Sequence, residues 1–362
     1  MKKLLCILFL MSSSWLVAQD STSVNPQWSF NGYLKTVETI HFDNINNTNT
    51  SGHLLHNRLN LKFTPTQNLF FVGELRNRFF YGEAGAENKK PVLKSEVERL
   101  YADWQKKKWN IRVGRQRINW GMAAIWNPND ILNAYNFLDV DYEEKPGNNA
   151  IRLQYNTNDF SHVEFVQSGL GKNQITAVQY FINHKGYDFQ WIAGNYKGQP
   201  TLGMGWAGNI LDAGFKGEAQ YYFNKQVALR QLNFTMGLDY MFKKGWYINT
   251  GMLYNSNGLD KKIEQGQYLN LQLSAKNLMP TKYNMLLMFQ KEINPLSAFS
   301  LTTIYAPKAD LFILMPSLKY SLRTNLDADI IWQSLYLNKM GYLKNYSQMG
   351  FLRLRWSFGI KN

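Results

Sequence analysis

Near its C-terminus the chain reads Ser347, Gln348, Met349, Gly350, Phe351, Leu352, Arg353, Leu354, Arg355, Trp356, Ser357, Phe358, Gly359 and Ile360. Successive side chains of an extended strand point to opposite faces. Leu352, Leu354, Trp356, Phe358 and Ile360 therefore share one face, and Met349, Phe351, Arg353, Arg355 and Ser357 share the other. An apolar, aromatic-ended face backed by a cationic one suits lipid on one side and a wet lumen on the other. The pattern predicts an all-β fold, a transmembrane antiparallel β-barrel of the outer-membrane kind.

The same rhythm extends upstream. Leu232, Phe234, Met236, Leu238, Tyr240 and Phe242 alternate with Gln231, Asn233, Thr235, Gly237, Asp239 and Met241. Leu55, Leu59, Leu61 and Phe63 alternate with His56, Arg58, Asn60 and Lys62, and Phe312, Leu314, Leu318, Tyr320 and Leu322 repeat the apolar set. Short turn-rich breaks fall at 65–68, 106–108, 156–159, 184–186, 208–212, 243–245, 294–297 and 323–325. They alternate with more variable breaks at 44–52, 82–93, 119–148, 169–173, 197–200, 224–229, 256–281, 307–308 and 338–346. Tight turns at one end and longer loops at the other are the asymmetry of outer-membrane barrels. The breaks delimit about 18 strands, an even number that leaves both ends of the barrel on the tight-turn, periplasmic side. The segments 174–182 and 201–209 are weak, and loss of one hairpin would leave 16.

Lys2 and Lys3 precede an apolar stretch from Leu4 to about Val17, followed by Ala18 and Gln19. This order of charge, short apolar run and small residue predicts a signal peptide over 1–18, cleaved to leave a barrel over 19–362 that begins at Gln19. Cleavage removes Cys6, the one cysteine, and with it disulfides, thiolate metal sites and cysteine nucleophiles. The chain is 45% hydrophobic and 15% aromatic, yet its mean hydropathy is -0.38. High aromatic content without long apolar runs is an alternating pattern averaged out. The net charge is +14, or +12 once Lys2 and Lys3 are gone. It is expected on lumen arginines and on turns facing outer-membrane lipid and lipopolysaccharide. A sharper reading is a lumen that attracts anions. No nucleic-acid motif accompanies the charge.

The most distinctive block runs Val113, Gly114, Arg115, Gln116, Arg117, Ile118, Asn119, Trp120, Gly121, then Trp126, Asn127, Pro128, Asn129, Asp130, and returns at Asn149, Ala150, Ile151, Arg152. With Trp109, Ile111 and Val113 toward lipid, strict alternation would put Arg115 and Arg117 in the bilayer. A bulge or frame change near Gly114 is expected to turn them inward; the alternative lifts them above the membrane. The Gly-Arg-Gln-x-Ile-x-Trp-Gly, Trp-Asn-Pro-x-Asp and Ala-x-Arg stretches resemble a group of porin-like Gram-negative outer-membrane barrels. A looser similarity runs to alginate-export and capsule-assembly barrels. The resemblance implies fold, location in the cell outer membrane and, more weakly, transport of a solute.

The connection 119–148 is long for an unstructured loop. It holds Met122, Ile125, Trp126, Ile131, Leu132, Tyr135, Phe137 and Leu138. So apolar a segment is expected to fold into the lumen and constrict it, the alternative being a cap on the rim. Asn129 or Asp130 is positioned to cap a short helix from Ile131. A second candidate insert is 259–282, with Leu269, Leu271, Leu273, Leu278 and Met279.

Enzyme signatures are weak. Gly203, Gly205 and Gly208 spell a G-x-G-x-x-G without a helix pattern after it. His53 and His56 fall on opposite faces of a strand, as do Ser161 and His162. Asp139, Asp141, Glu143 and Glu144 could take calcium but are more readily arginine partners. No catalytic residue, metal or cofactor is expected. Inward cations comprise Arg58, Lys62, Arg76, Arg78, Arg99, Arg112, Arg152, Lys216, Arg353 and Arg355, facing Glu74, Asp103, Glu164, Glu218, Asp239, Asp327 and Asp329. They read either as paired braces or as a transverse field that orients solutes. Tyr101, Trp120 and Tyr196 offer stacking surfaces for sugars or plain packing. The candidate lumen and constriction residues are Arg76, Arg78, Arg99, Arg115, Arg117, Trp120, Trp126, Asp130, Arg152, Arg353 and Arg355. The pattern predicts a porin-like channel for small polar or anionic solutes. The competing expectation is a non-conducting barrel serving accessory protein partners in surface export or secretion.

Overall fold

The computed structural model describes residues 26–44, 46–82, 90–133, 136, 138–141, 145–263, 274–339 and 342–361. The expected signal peptide 1–18 lies outside them, as do Tyr135, Phe137, Glu143, Glu144, Leu269, Leu271 and Leu273.

A strand inside lipid must find a partner for every backbone N–H and C=O, which only closure supplies. The strands are β1 (Gln27–Asp43), β2 (Thr48–Thr66), β3 (Leu69–Gly82), β4 (Val92–Lys106), β5 (Trp109–Gln116), β6 (Asn148–Asn158), β7 (Ser161–Ser168), β8 (Ile175–His184) and β9 (Tyr187–Tyr196). The ring continues through β10 (Gln199–Ile210), β11 (Ala213–Tyr222), β12 (Gln231–Phe242), β13 (Trp246–Asn255), β14 (Tyr283–Asn294), β15 (Ser297–Ala306), β16 (Leu311–Arg323), β17 (Leu326–Lys339) and β18 (Tyr342–Lys361). Each strand pairs antiparallel with its sequence neighbours, and β18 returns to β1 in register from Ser29–Lys361 to Asp43–Ser347. The described residues thus form a closed 18-stranded barrel whose only helices are two three-residue turns, Gly171–Asn173 and Val227–Leu229.

The two weak segments are full strands, β8 and β10. Gly203 and Gly205 leave β10 without side chains at two inward positions, yet Met204 between them pairs with Trp191 on one side and Ala219 on the other. Long ladders on both flanks fix its register. The break expected at 338–346 is narrower, because β17 and β18 extend through it to Lys339 and Tyr342.

The faces follow the dyad pattern. Leu352, Leu354 and Trp356 are exposed on the outer surface, and Arg353 and Arg355 turn inside. On β12, Met236, Leu238 and Phe242 face out while Gln231, Asn233 and Thr235 are buried in the interior. His53 faces out beside Glu38, and His56 faces in. Aromatic side chains gather at both ends of the outer apolar belt. Trp28 stacks on Phe63 at 4.0 Å and Trp109 meets Tyr155 at 4.8 Å near the short turns. Phe42 with Trp332, Tyr254 with Tyr283 and Phe312 with Tyr336 lie toward the long loops. These two girdles mark the membrane interfaces.

The short turns carry the chemistry their geometry requires. Lys185 and Gly186 both take positive φ, the twist that matches their two-residue hairpin, and Lys244 and Gly245 do so within the three-residue turn 243–245. Lys197–Gly198 does the same at the opposite end, so β9 and β10 meet in a low, tight turn among longer loops.

Leu354→Arg puts a guanidinium on the lipid face of β18. It is expected to cost about 2–4 kcal/mol if the site lies near the midplane, measured as a folding titration into lipid vesicles. No loss would mean that the facing of this strand is inverted.

Candidate functional site, a lumen crossed by the 117–147 loop

The inner wall is divided. From β18 through β1 to β6 it is rich in guanidinium groups, and from β8 to β14 it is lined by amides and hydroxyls: Gln179, Gln190, Gln220, Gln231, Asn233, Thr235 and Asn249 are all buried. Buried cations need partners, and neighbouring strands provide them. Arg58 and Arg99 share Glu74, the second at 3.2 Å. Arg76 reaches Glu96 at 2.5 Å and Glu98 at 3.1 Å. Arg112 pairs with Asp103, Arg152 with Glu164 at 2.9 Å, and Arg353 with Asp329 at 3.0 Å. Lys216 pairs with Asp239 at 2.9 Å, and Arg355 lies 4.6 Å from the ring centre of Tyr33. The paired reading therefore accounts for most of the cations that the alternation pattern turns inward.

Arg115 and Arg117 differ. Gly114 takes φ +124, and a Cβ there would stand 2.2 Å from the Leu100 carbonyl oxygen. The frame change expected near Gly114 is thus a change of backbone conformation. The ladders of β5 to β4 and β6 keep their register, and the nearby bulge lies on β4 at Glu98, where Glu74 pairs with Arg99 and Leu75 with Val97. Arg115 is half-buried, with its stem beside Gly147, and its charge reaches Glu96 on the lumen side. Arg117 is exposed at the start of the loop. Among the described residues neither forms an ion pair with a carboxylate.

The loop is held by both walls. On the amide side, Glu218 of β11 accepts the backbone N–H groups of Met122 at 2.5 Å, Ala123 at 2.7 Å and Asn129 at 2.9 Å. Asn129 donates from Nδ2 to the Met204 carbonyl of β10 at 2.8 Å. Trp120 donates from Nε1 to Glu164 at 2.8 Å, and Gln190 of β9 donates to the Trp120 carbonyl at 2.7 Å. On the guanidinium side, Asp141 lies 3.0 Å from Lys35 of β1, 2.8 Å from His56 of β2 and 3.6 Å from Arg78 of β3. Gln333 of β17 donates to the Leu138 carbonyl at 2.8 Å, and Arg353 to the Val140 carbonyl at 2.9 Å. The segment therefore runs across the interior from β7–β11 to β17–β3. Burial alone would push the Asp141 carboxyl up. The His56 hydrogen bond and the Lys35 and His56 charges outweigh it and hold the group well below the usual carboxylate range.

Apolar residues of the loop fill the interior on both sides. Trp120, Ile131 and Leu132 pack with Ala150, Val166 and Ile192 inside β6–β9. Trp126 packs with Leu253, Ile304 and Leu311 and with Leu278 and Met279 of the second insert. That insert also enters the barrel, with Tyr222 and Asn233 donating to the Ala275 carbonyl at 3.3 and 3.2 Å.

One expectation is corrected, and several alternatives left open by the sequence are decided. The described residues 131–133 are not helical: Asn129 has turned its amide and its N–H to the barrel wall, and buried Asp130 is paired with Lys145. Trp120 and Tyr196 are buried packing residues and offer no face to a sugar, and the Tyr101 ring is covered by Arg112 at 4.7 Å. Asp141 is engaged by cations, and no group of three metal-ligating side chains occurs among the described residues. Ser161 bonds Thr157 at 2.8 Å, and His162 stacks on Phe181. Gly203 and Gly205 clear the wall for the loop: a Cβ would meet the Asn129 side chain at 2.8 and 3.0 Å respectively. The sequence reading assigned Glu218 to the lumen without its role as loop anchor. Its ladder neighbours are Gly205 and Thr235, so it has no cation across either strand, and that was the available signal.

No protein-family model matches the sequence, and no curated protein does. The fold does match solved structures of Gram-negative outer-membrane porins. Acinetobacter baumannii OccAB4 superposes with a TM-score of 0.62 at 11% identity, over 94% of this chain and 100% of that one. Pseudomonas aeruginosa OccK5 (OpdH) gives 0.64 at 9% identity, over 93% and 98%. Pseudomonas aeruginosa OpdQ gives 0.61 at 8% identity, over 94% and 100%. At these identities the likeness is one of fold, and this chain is an outer-membrane β-barrel of porin architecture.

Proposed function

We propose that this barrel is a porin-like channel for small polar solutes with a preference for anionic ones. The observation that carries the reading is the 117–147 segment tied to both walls across an interior whose one side is rich in arginine. Such a segment sets a bore, and fixed charge beside a bore selects the opposite sign. Arg115 and Arg117 stand next to that segment outside the carboxylate pairs, so a passing anion can use them. Arg152, already held by Glu164, contributes less. The porin architecture supports conduction in general. The looser likeness to alginate-export and capsule-assembly barrels rests on the 113–152 motif and the strand number alone.

One observation favours the second reading, a non-conducting barrel that serves an export or secretion assembly. The loop and the second insert pack together through Trp126, Leu278 and Met279, which removes interior volume. Conductance decides between the two.

In planar bilayers, deleting 122–141 is expected to raise single-channel conductance. Unchanged conductance would place the loop away from the bore, and silence in both proteins would favour the accessory barrel. Arg115→Glu with Arg117→Glu is expected to weaken or reverse anion preference, read as a shifted reversal potential in a salt gradient. The shift should shrink toward 1 M salt, where the screening length is about 3 Å. Glu218→Gln keeps the shape of the anchor and loses its charge. It is expected to weaken loop docking by on the order of 2 kcal/mol, seen as flickering openings absent from the parent protein. Quiet, parental currents would remove Glu218 as the latch.

A further inference from the structure

On the outer surface the barrel is not uniformly filled. Across β8 to β11 two levels of outward residues run side by side. One is Val178, Ala193, Leu202 and Tyr221, and the other is Tyr180, Trp191, Met204 and Ala219. The small side chains Ala193 and Ala219 sit between large ones, which leaves an apolar groove of about 520 Å³ in the lipid-facing wall. Above it, at the long-loop end, the rim is formed by the Lys197–Gly198 turn and the loops at 169–174 and 223–230. Those three carry Lys172, Lys197, Lys225 and Arg230, all exposed, and no acid. Elsewhere on the same rim two lysines have carboxylate partners: Lys262 meets Asp310 at 2.8 Å and Lys282 meets Asp260 at 2.9 Å. Among the described residues, none of the four cations above the groove has one. Apolar side chains stand among them, with Leu170 89% and Val227 69% exposed.

The geometry points to a specific site for one phosphorylated, acylated lipid of the outer leaflet, its phosphates on the rim cations and an acyl chain in the groove. Four positions separate Gly198 from Leu202, about 14 Å along a strand, so a chain descending from the rim reaches the groove without leaving the protein surface. Cations at an interface each add to the binding of anionic headgroups, and an acyl chain in a preformed apolar groove adds packing that a flat wall lacks. A second copy of the chain would have to bring acids to this rim, and exposed acids are absent from these three loops.

The inference rests on the outer-membrane placement of the barrel and is independent of conduction. The full barrel is reconstituted with lipid A, with dephosphorylated lipid A or with phosphatidylethanolamine, exchanged into detergent, and examined by native mass spectrometry. Retention of lipid A in preference to the other two is expected. K172A/K197A/K225A/R230A and, separately, Ala219→Trp should each reduce it by at least about tenfold. Lys262→Ala with Lys282→Ala should leave it unchanged. Heat-modifiable migration and conductance of every variant report folding, so lost retention in an unfolded variant is replaced by the result for Ala193→Trp. Equal retention of phosphatidylethanolamine, or retention insensitive to both the rim and the groove substitutions, overturns the proposal. So does an oligomer that Ala219→Trp dissociates without any change in lipid retention. A silent barrel that keeps lipid A would sink the channel reading and leave this one standing.

Discussion

The ladder between β1 and β18 is the interaction on which the rest depends. Without it, one edge of each of these two strands would present unpaired N–H and C=O groups to hydrocarbon, at several kcal/mol per group by transfer measurements. Closure removes both edges at once and separates two solvents. Outward positions must then suit lipid, and inward positions must suit water or one another. The whole alternation, from His53 and His56 on opposite faces of β2 to Leu354 and Arg355 on β18, follows from that partition.

Inside, the constraint is reversed, because charge is welcome only when it is answered. Arg76, Arg112, Arg152 and Arg353 each face a carboxylate on a neighbouring strand, so most of the interior charge braces the wall and contributes little net field. The opposite wall carries amides, which bond to each other and to the inserted loops without a charge to neutralise. The difference between the walls explains where the loop can attach. Its backbone N–H groups find an acid, Glu218, on the amide-rich side, and its carbonyls and Asp141 find cations on the guanidinium-rich side.

Strand number and facing were legible because both are local. Period-two alternation and turn residues such as Lys185–Gly186 need no knowledge of distant partners. The infolding of the loop was legible from its apolar content, since Trp120, Trp126, Ile131 and Leu132 could not stay in water. The anchors were not, because they depend on which strands face each other across the ring. Asn129 shows the failure best. Its residue type suits a helix cap, yet its N–H and its side chain were recruited by strands β11 and β10, some seventy-five to ninety positions away, and the described residues 131–133 that follow are not helical. Gly203 and Gly205 were similarly opaque, because the side chains that crowd them, Gln220, Gln190 and Asn129, come from neighbouring strands and the loop and are visible only in three dimensions.

The tip of the loop also bears on how the barrel is put together. Residues 138–141 rest on the joint between the first and last strands: Lys35 of β1 holds Asp141, while Gln333 of β17 and Arg353 of β18 hold the carbonyls just before it. These partners converge only when β1 and β18 have met in the right alignment. A slip of two residues would keep every side chain on its proper face, yet it would carry Arg353 about 7 Å along the strand and part it from Lys35. The loop thus serves as a clasp that fits one alignment of the seam, so a segment far from both chain ends in sequence rewards the correct register of the first and last strands.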